Sequence, residues 1–276
     1  MNLDTPLRVL TYNIRHDEPN DPDPFTWAER KGGVAALLRR LGADVFGLQE
    51  VLEHQLRDIG AALPGYAHVG RGHDGAHDYT PASGEHTPVF YRLERLELQE
   101  DGTFWLSSTP EVPGSRYGPE FQPRIATWAR FRDKRSGHVF TFCTTHFPYQ
   151  DSAEGEAARA FSARVLLAQL EGCAGRTPII LTGDFNLTTT NEADRTRTYR
   201  QLRRTFDDAY DAPVARQGPE ATFLGFDVTQ APGARIDYIF SSAAHRISVL
   251  HYETVSANNG TFYFSDHAPV LADVRF

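Results

Sequence analysis

Thr177-Pro178-Ile179-Ile180-Leu181-Thr182 is a short, mostly apolar run that stops at Gly183-Asp184-Phe185-Asn186. Such a run suits a strand buried on both faces, and the segment that follows puts two oxygen-bearing side chains where the strand leaves the core. The pattern recurs along the chain. Residues 7–14 alternate like a strand and carry Asn13 near their end, and the apolar run 44–49 is followed by Glu50. His146 closes the run 138–147, Asp237 lies in 235–240, and Asp266 and His267 precede the run 269–276. Singly these residues read as turn, cap or surface positions; together they form a constellation at strand ends, which a scaffolded cleft requires.

The remaining elements frame these strands. Thr26 and Glu29 are spaced as a capping box for a helix with Val34, Leu37, Leu38 and Leu41 on one face. Residues 52–63 read as a second helix. Residues 88–92, 96–106 and 126–132 read as strands separated by Gly/Pro/Ser turns, as in antiparallel sheet. The segment 156–170 is a helix with Ala157, Phe161, Val165 and Leu166 on its apolar face, 199–205 is helical, and 247–254 is a late strand. This mixture predicts two packed sheets covered outside by helices, in a single domain spanning 1–276.

The 36 acidic residues outnumber the 28 basic ones, for a formal charge of −8. Coating nucleic acid depends on phosphate neutralisation, so this balance disfavours a coat protein; it leaves room for a nuclease with a bound cation and local arginines. Lys31 and Lys134 are the only lysines, which fits phosphate recognition, although a genome-composition effect explains it more simply. Cys143 and Cys173 read as reduced, buried small hydrophobes. No window approaches the roughly 18 apolar residues of a membrane helix, and Met1 to Pro6 has neither a basic nor an apolar leader region. A cytoplasmic monomer is the expectation.

Carboxylate and amide oxygens suit Mg²⁺ or Mn²⁺, and the Cys-rich or multi-His spacing of structural zinc is absent. Phosphate-ester cleavage matches the inventory, since it needs a cation, a base that orients water in line, and donors for growing charge. Arg124 adds a cation to the set.

Seven blocks then carry a resemblance: Thr11-Tyr12-Asn13-Ile14, Leu48-Gln49-Glu50, Arg124-Ile125-Ala126-Thr127-Trp128, Thr145-His146-Phe147, Gly183-Asp184-Phe185-Asn186, Arg235-Ile236-Asp237-Tyr238 and Ser265-Asp266-His267-Ala268-Pro269-Val270. In content and order they resemble the endonuclease/exonuclease/phosphatase superfamily, in its deoxyribonuclease-like, compact bacterial branch. The resemblance implies a four-layer α/β sandwich of two mixed β-sheets flanked by helices. It implies Glu50 as main metal ligand, with Asn13 and Asp266 near the same Mg²⁺ or Mn²⁺ ion. Asp184 and Asn186 would position the attacking water or a second ion; His267 would be a general base or a phosphate-stabilising imidazolium oriented by Asp237. His146 would face the phosphate from the other side with Glu85 as its partner. Arg124 would contact phosphate or neighbouring carboxylates, a structural salt bridge being the competing reading.

The implied activity is a phosphoester hydrolase, foremost a phosphodiesterase or nuclease-type enzyme acting by in-line water attack, on a nucleic acid, nucleotide or other phosphate ester. A phosphomonoesterase for small sugar, nucleotide or inositol phosphates is one alternative; a catalytically silent phosphate-binding scaffold is another. Arg235-Ile236-Asp237-Tyr238 departs from the Trp-Cys-Asp-Arg of inositol polyphosphate phosphatases, and His146 departs from the apurinic-site nucleases. Arg71, His73 or Tyr79 is a candidate contact for the leaving group, as is the 147–150 loop. His73, His77 and His86 form a remote second-metal candidate, with polar filler the plainer reading. Arg195, Arg197, Arg200, Arg203 and Arg204 read as a solvated face offset by Asp207 and Asp208, against a nucleic-acid groove.

Overall fold

The alternation of the first strand sorts its side chains into two cores. Leu7 and Val9 point between the sheets, whereas Leu10 and Tyr12 point outward to the helices, as the period of two requires. The computed structural model describes residues 5–75, 84–187, 197–212 and 214–276. In chain order the elements are β1 (Leu7–Asn13), α1 (Trp27–Leu41), β2 (Val45–Gln49), α2 (Glu53–Ala62), β3 (Tyr66–Val69), β4 (Val89–Arg92), β5 (Leu96–Trp105), β6 (Ile125–Asp133) and β7 (Val139–His146). They continue as α3 (Ala153–Ala174), β8 (Ile179–Asp184), α4 (Arg197–Leu202), β9 (Phe206–Asp208), β10 (Arg216–Gln217), β11 (Asp237–Ser242), β12 (Ser248–Thr254) and β13 (Val270–Arg275).

One sheet runs β10-β12-β13-β1-β2-β4-β3 and the other β5-β6-β7-β8-β11-β9. Val9, Val45, Phe131, Phe142, Ile180 and Ile239 meet between them. Leu38, Leu41, Leu56 and Ile59 seal the outer face of the first sheet, and Ala163, Leu166 and Leu170 seal that of the second. The order is helix, sheet, sheet, helix. Each sheet is mixed: β1 with β2 and, at the edge, β10 with β12 are the parallel pairs of the first, β7 with β8 is that of the second, and the remaining neighbours are antiparallel.

Several local expectations change. Thr26 is the N-cap of α1, but its side chain makes no capping hydrogen bond, so the spaced Thr and Glu do not form a box. Of the expected Ala157, Phe161, Val165 and Leu166 face of α3 only Leu166 is fully buried, and Gly155, Ala158, Ser162 and Ala163 complete the buried side; Gly155 lies against the Gln150 carbonyl, and Phe161 packs against Tyr117. Strands β3, β9 and β10 were not legible in the sequence, being short or only partly buried.

Candidate active site

Strand register assembles the cleft. Asn13 lies opposite Gln49 at the end of the β1–β2 pair, and His146 lies opposite Asp184 at the end of β7–β8. Asp184 in turn lies opposite Asp237, so the three residues stand side by side on adjacent strands. An antiparallel β-bridge between Val51 and His86 joins the segments that carry Glu50 and Glu85, and both carboxylates line the cleft. Three non-glycine residues here adopt left-handed backbone, Arg15 (φ 56°), Glu50 (φ 60°) and Asn186 (φ 50°), a conformation that costs about 1–3 kcal/mol and persists where surrounding contacts impose it. Gly183 (φ 149°) is required, because a Cβ there would stand 2.2 Å from the Thr145 carbonyl oxygen.

One carboxylate oxygen is the focus. Asp184 Oδ2 accepts from Asn13 Nδ2 at 3.0 Å and faces His146 Nε2 at 3.5 Å and His267 Nε2 at 3.7 Å. Its other oxygen accepts the Asn186 backbone N–H at 3.0 Å. Burial, reinforced by the Asp237 charge, raises the Asp184 carboxyl to about 7.

The two histidines that flank it are held in opposite states. Arg124 Nη1 donates to His146 Nδ1 at 2.9 Å, so that nitrogen is the acceptor and the proton sits on Nε2, toward Asp184. Burial and the Arg124 charge push His146 well below its ordinary value, which keeps it neutral. His267 Nδ1 instead donates to Asp237 Oδ2 at 2.8 Å. Burial works against its charge, but Asp237 and Asp184 outweigh burial and lift His267 well above the ordinary histidine value. Thr222 Oγ1 accepts the Asp237 backbone N–H at 3.0 Å, while Asp237 Oδ1 is buried without a hydrogen-bond partner.

On the opposite wall, Glu50 Oε1 accepts from Asn13 Nδ2 at 2.9 Å and Oε2 from His16 Nδ1 at 2.7 Å. Burial would raise Glu50, yet the His16 hydrogen bond and other neighbours hold it well below the carboxylate range; the same bond lifts His16 to about 9. Asp266 is raised by burial and by the Glu50 charge. Glu50 and Asp266 offer only oxygen, the donor type a hard divalent cation takes. Asn13 turns its amide nitrogen to Glu50 and Asp184 and its Oδ1 to the Arg15 N–H at 3.0 Å. A second cluster, Asp184, Asp237 and His267, also has ligand-type atoms within 4.8 Å of one another. Within it the 2.8 Å hydrogen bond engages Asp237 Oδ2 and His267 Nδ1 and leaves Asp237 Oδ1 and His267 Nε2 without a partner in that bond.

Glu50, Glu85, Arg124, His146, Asp184, Asn186, Asp266 and His267 line one cleft of about 690 Å³, and Asn13 and Asp237 lie buried directly behind it. Glu85 departs from the expected direct pairing: its Oε2 is 4.0 Å from His146 Nδ1, and Arg124 Nη1, 3.5 Å from the same oxygen, stands between them. Arg71 and His73 do not line the cleft. His73 is buried behind its rim, with its backbone N–H donating to Glu85 O, and His86 turns its Nδ1 to the Val51 carbonyl. His77, Tyr79 and Arg195 lie outside the described residues. Arg203 pairs with Asp207 and Asp211 away from the cleft.

Reading the sequence missed Arg15, His16, Glu18, Gln122 and Phe223, all of which line the cleft. Arg15 and His16 follow the Asn13 block directly, which is the signal that was there to find; the others come from loops without a motif. Tyr149, in the 147–150 loop, is in place at the rim.

The fold recurs in solved structures. A mannosyl-6-phosphatase of Bacteroides thetaiotaomicron superposes with a TM-score of 0.85 at 32% identity, covering 98% of this chain and 100% of that one. The human Nocturnin catalytic domain, solved with a bound sulfate anion, shares the fold at TM-score 0.72 and 21% identity, over 99% of this chain and 94% of that one. An uncharacterised protein of Acanthamoeba polyphaga mimivirus is 24% identical over 253 residues, 80% of this chain and 36% of that protein. The chain spans about a third of the length of the curated relatives it matches. Residues 10–267, which include every strand-end residue of the cleft, match the Endonuclease/Exonuclease/phosphatase family, and the chain belongs to that family of phosphoester hydrolases.

Proposed function

We propose that the chain is a divalent-metal-dependent hydrolase of small phosphate monoesters with hydroxyl-bearing leaving groups, sugar phosphates foremost. The convergence of Asn13, His146 and His267 on one oxygen of Asp184 carries the hydrolase reading. Glu50 and Asp266, with Asn13 steadying Glu50, would hold Mg²⁺ or Mn²⁺, which supplies a Lewis acid for the phosphoryl oxygens. Asp184, with a carboxyl near neutrality, orients the attacking water and takes its proton. His267, kept protonated by Asp237, donates from Nε2 to a phosphoryl oxygen, and neutral His146 donates from its own Nε2 on the other side. Asn186 fixes Asp184 through its backbone N–H.

The rim supports a small, uncharged leaving group. Glu18 and Glu85 line it, and Arg15 is engaged by Asp21 at 3.1 and 3.2 Å. Arg15 and Arg124 are the arginines that line the cleft among the described residues, and each faces a carboxylate, so a polynucleotide backbone meets little free positive charge there. The Bacteroides mannosyl-6-phosphatase supports the same reading. The nuclease-type expectation therefore takes second place to the monoesterase. The test is phosphate release from hexose 6-phosphates, set against a chromogenic diester and an oligonucleotide, with Mg²⁺, Mn²⁺ or chelator. Sugar-phosphate turnover that the chelator abolishes is expected. Faster diester or oligonucleotide cleavage would reverse the order, and turnover unaffected by the chelator would remove the metal.

A further inference from the structure

Arg30 sits at 0% exposure on the buried face of α1. No carboxylate pairs with it among the described residues. Instead its five N–H donors meet five backbone carbonyls. Nε donates to Phe25 O at 2.6 Å; Nη1 to Ile14 O at 2.7 Å and Phe264 O at 3.0 Å; Nη2 to Arg15 O at 3.2 Å and His16 O at 3.4 Å. The guanidinium also lies over the rings of Trp27 and Phe226, 5.5 and 5.2 Å from their centroids.

Burying a cation without an anion costs several kcal/mol unless its hydrogen bonds are complete. An apolar residue at position 30 would have continued the stripe of Trp27, Val34, Leu37, Leu38 and Leu41, so the arginine is not needed to seal the core. What it does is local to the cleft. Three successive carbonyls, of Ile14, Arg15 and His16, turn toward one point, which the left-handed backbone at Arg15 permits. That turn delivers the His16 side chain to Glu50. Phe264 precedes Ser265, whose hydroxyl donates to Asn13 O at 2.7 Å, and Asp266, whose carbonyl accepts the backbone N–H groups of Leu224 and Gly225. Phe226 follows in that same loop. One planar fork thus meets three segments that build the cleft.

We propose that Arg30 is a positioning residue: its guanidinium holds the exit of β1 against the 264–266 segment, and so fixes the backbone that carries Glu50 and Asp266, the two carboxylates that would hold a divalent cation. The role depends on fork geometry and not on charge alone, since a lysine ammonium offers three donors in place of five. The inference rests on the hydrolase reading for its kinetic arm; its cation arm stands without turnover.

The experiment compares Arg30→Lys with Arg95→Lys. Arg95 is a second buried arginine, at the far end of the sandwich, paired with Asp133. Each protein is measured well below its own Tm for kcat and KM on a hexose 6-phosphate and for Mn²⁺ affinity by calorimetric titration. Arg30→Lys is expected to lose at least tenfold in kcat with KM within about threefold, and about tenfold in Mn²⁺ affinity, while Arg95→Lys changes neither despite a similar fall in Tm. Phe226→Ala, which keeps all five donors and removes one supporting ring, is expected to lose about threefold in both quantities, and it decides the matter if Arg30→Lys does not fold. Wild-type Mn²⁺ affinity in the folded variant would overturn the proposal, as would equal losses in Arg95→Lys. A wild type that binds Mn²⁺ but turns over no phosphate ester would overturn the hydrolase reading alone, leaving the cation arm to judge Arg30.

Discussion

Two buried arginines mark the two ends of the sandwich, and they are neutralised differently. Arg95, 1% exposed, closes a bidentate pair with Asp133 at 2.8 and 2.9 Å where β5 begins and β6 ends. Asp133 also accepts from the Arg135 N–H and the Ser136 hydroxyl. Although burial acts to raise its carboxyl, these partners hold it below the ordinary range. At the cleft end Arg30 has only carbonyls, Asp184 and Asp266 are crowded into raised carboxyls, and Asp237 keeps an unpartnered oxygen. The far end satisfies its charges internally and contributes stability. The cleft end leaves charge requirements for a ligand to complete, as a preorganised site does.

Breaking the far-end pair is expected to have the largest effect on stability. Arg95→Met strands a buried Asp133 and should cost about 3–5 kcal/mol in urea unfolding, with kcat within about twofold of wild type. A large loss of turnover in the folded variant would break the division between the two ends. At the cleft end, Glu50→Gln and His267→Ala should each lower kcat/KM by at least about 10², roughly 2.7 kcal/mol, with small changes in Tm. Wild-type-like rates in both would end the catalytic reading of this cleft.

His73 sharpens the contrast through pH. Burial, then the Arg124 charge, lowers it to about 3, below the ordinary value near 6.5 that the unfolded chain has. Below about pH 6.5 the unfolded state binds a proton that the folded state refuses, so stability is lost as pH falls from there toward 3. Between pH 7 and 4.5 the wild type should lose on the order of 2 kcal/mol more than His73→Gln. Parallel pH dependence in the two proteins would show that the rim carries no such strain. The smallest effect belongs to Asp237→Asn, expected to cut kcat about tenfold at pH 8 and less at pH 6. Without the Asp237 anion the raised His267 value falls, so the protonated form and its activity disappear at lower pH. An alkaline limb that stays in place would mean His267 does not act as a cation.

The strand ends were legible before the fold because an apolar run that stops at a polar side chain is a local pattern, and Asp184, His146 and Glu50 each close such a run. Arg30 was also within reach: it stands on the helical stripe with Trp27, Val34 and Leu37, a charged residue where periodicity asks for an apolar one. The partly misread face of α3 had the opposite cause, since hydrophobicity alone favoured Phe161, whereas the buried line runs through Ala158, Ser162 and Leu166 and Gly155 is set by the Gln150 carbonyl beside it.

The sequence by itself determined the kind of elements, their order and the chemical types gathered at the strand ends, because periodicity and residue chemistry act over a few neighbours. Only the tertiary structure decided that Arg124 stands between Glu85 and His146, that His146 is neutral while His267 is charged, and that one arginine fork holds residues 14–16 and 264 together. These depend on hydrogen bonds between residues far apart in the chain, whose geometry is set by strand register and the packing of one sheet on the other. A proton's position follows from the partners those bonds supply.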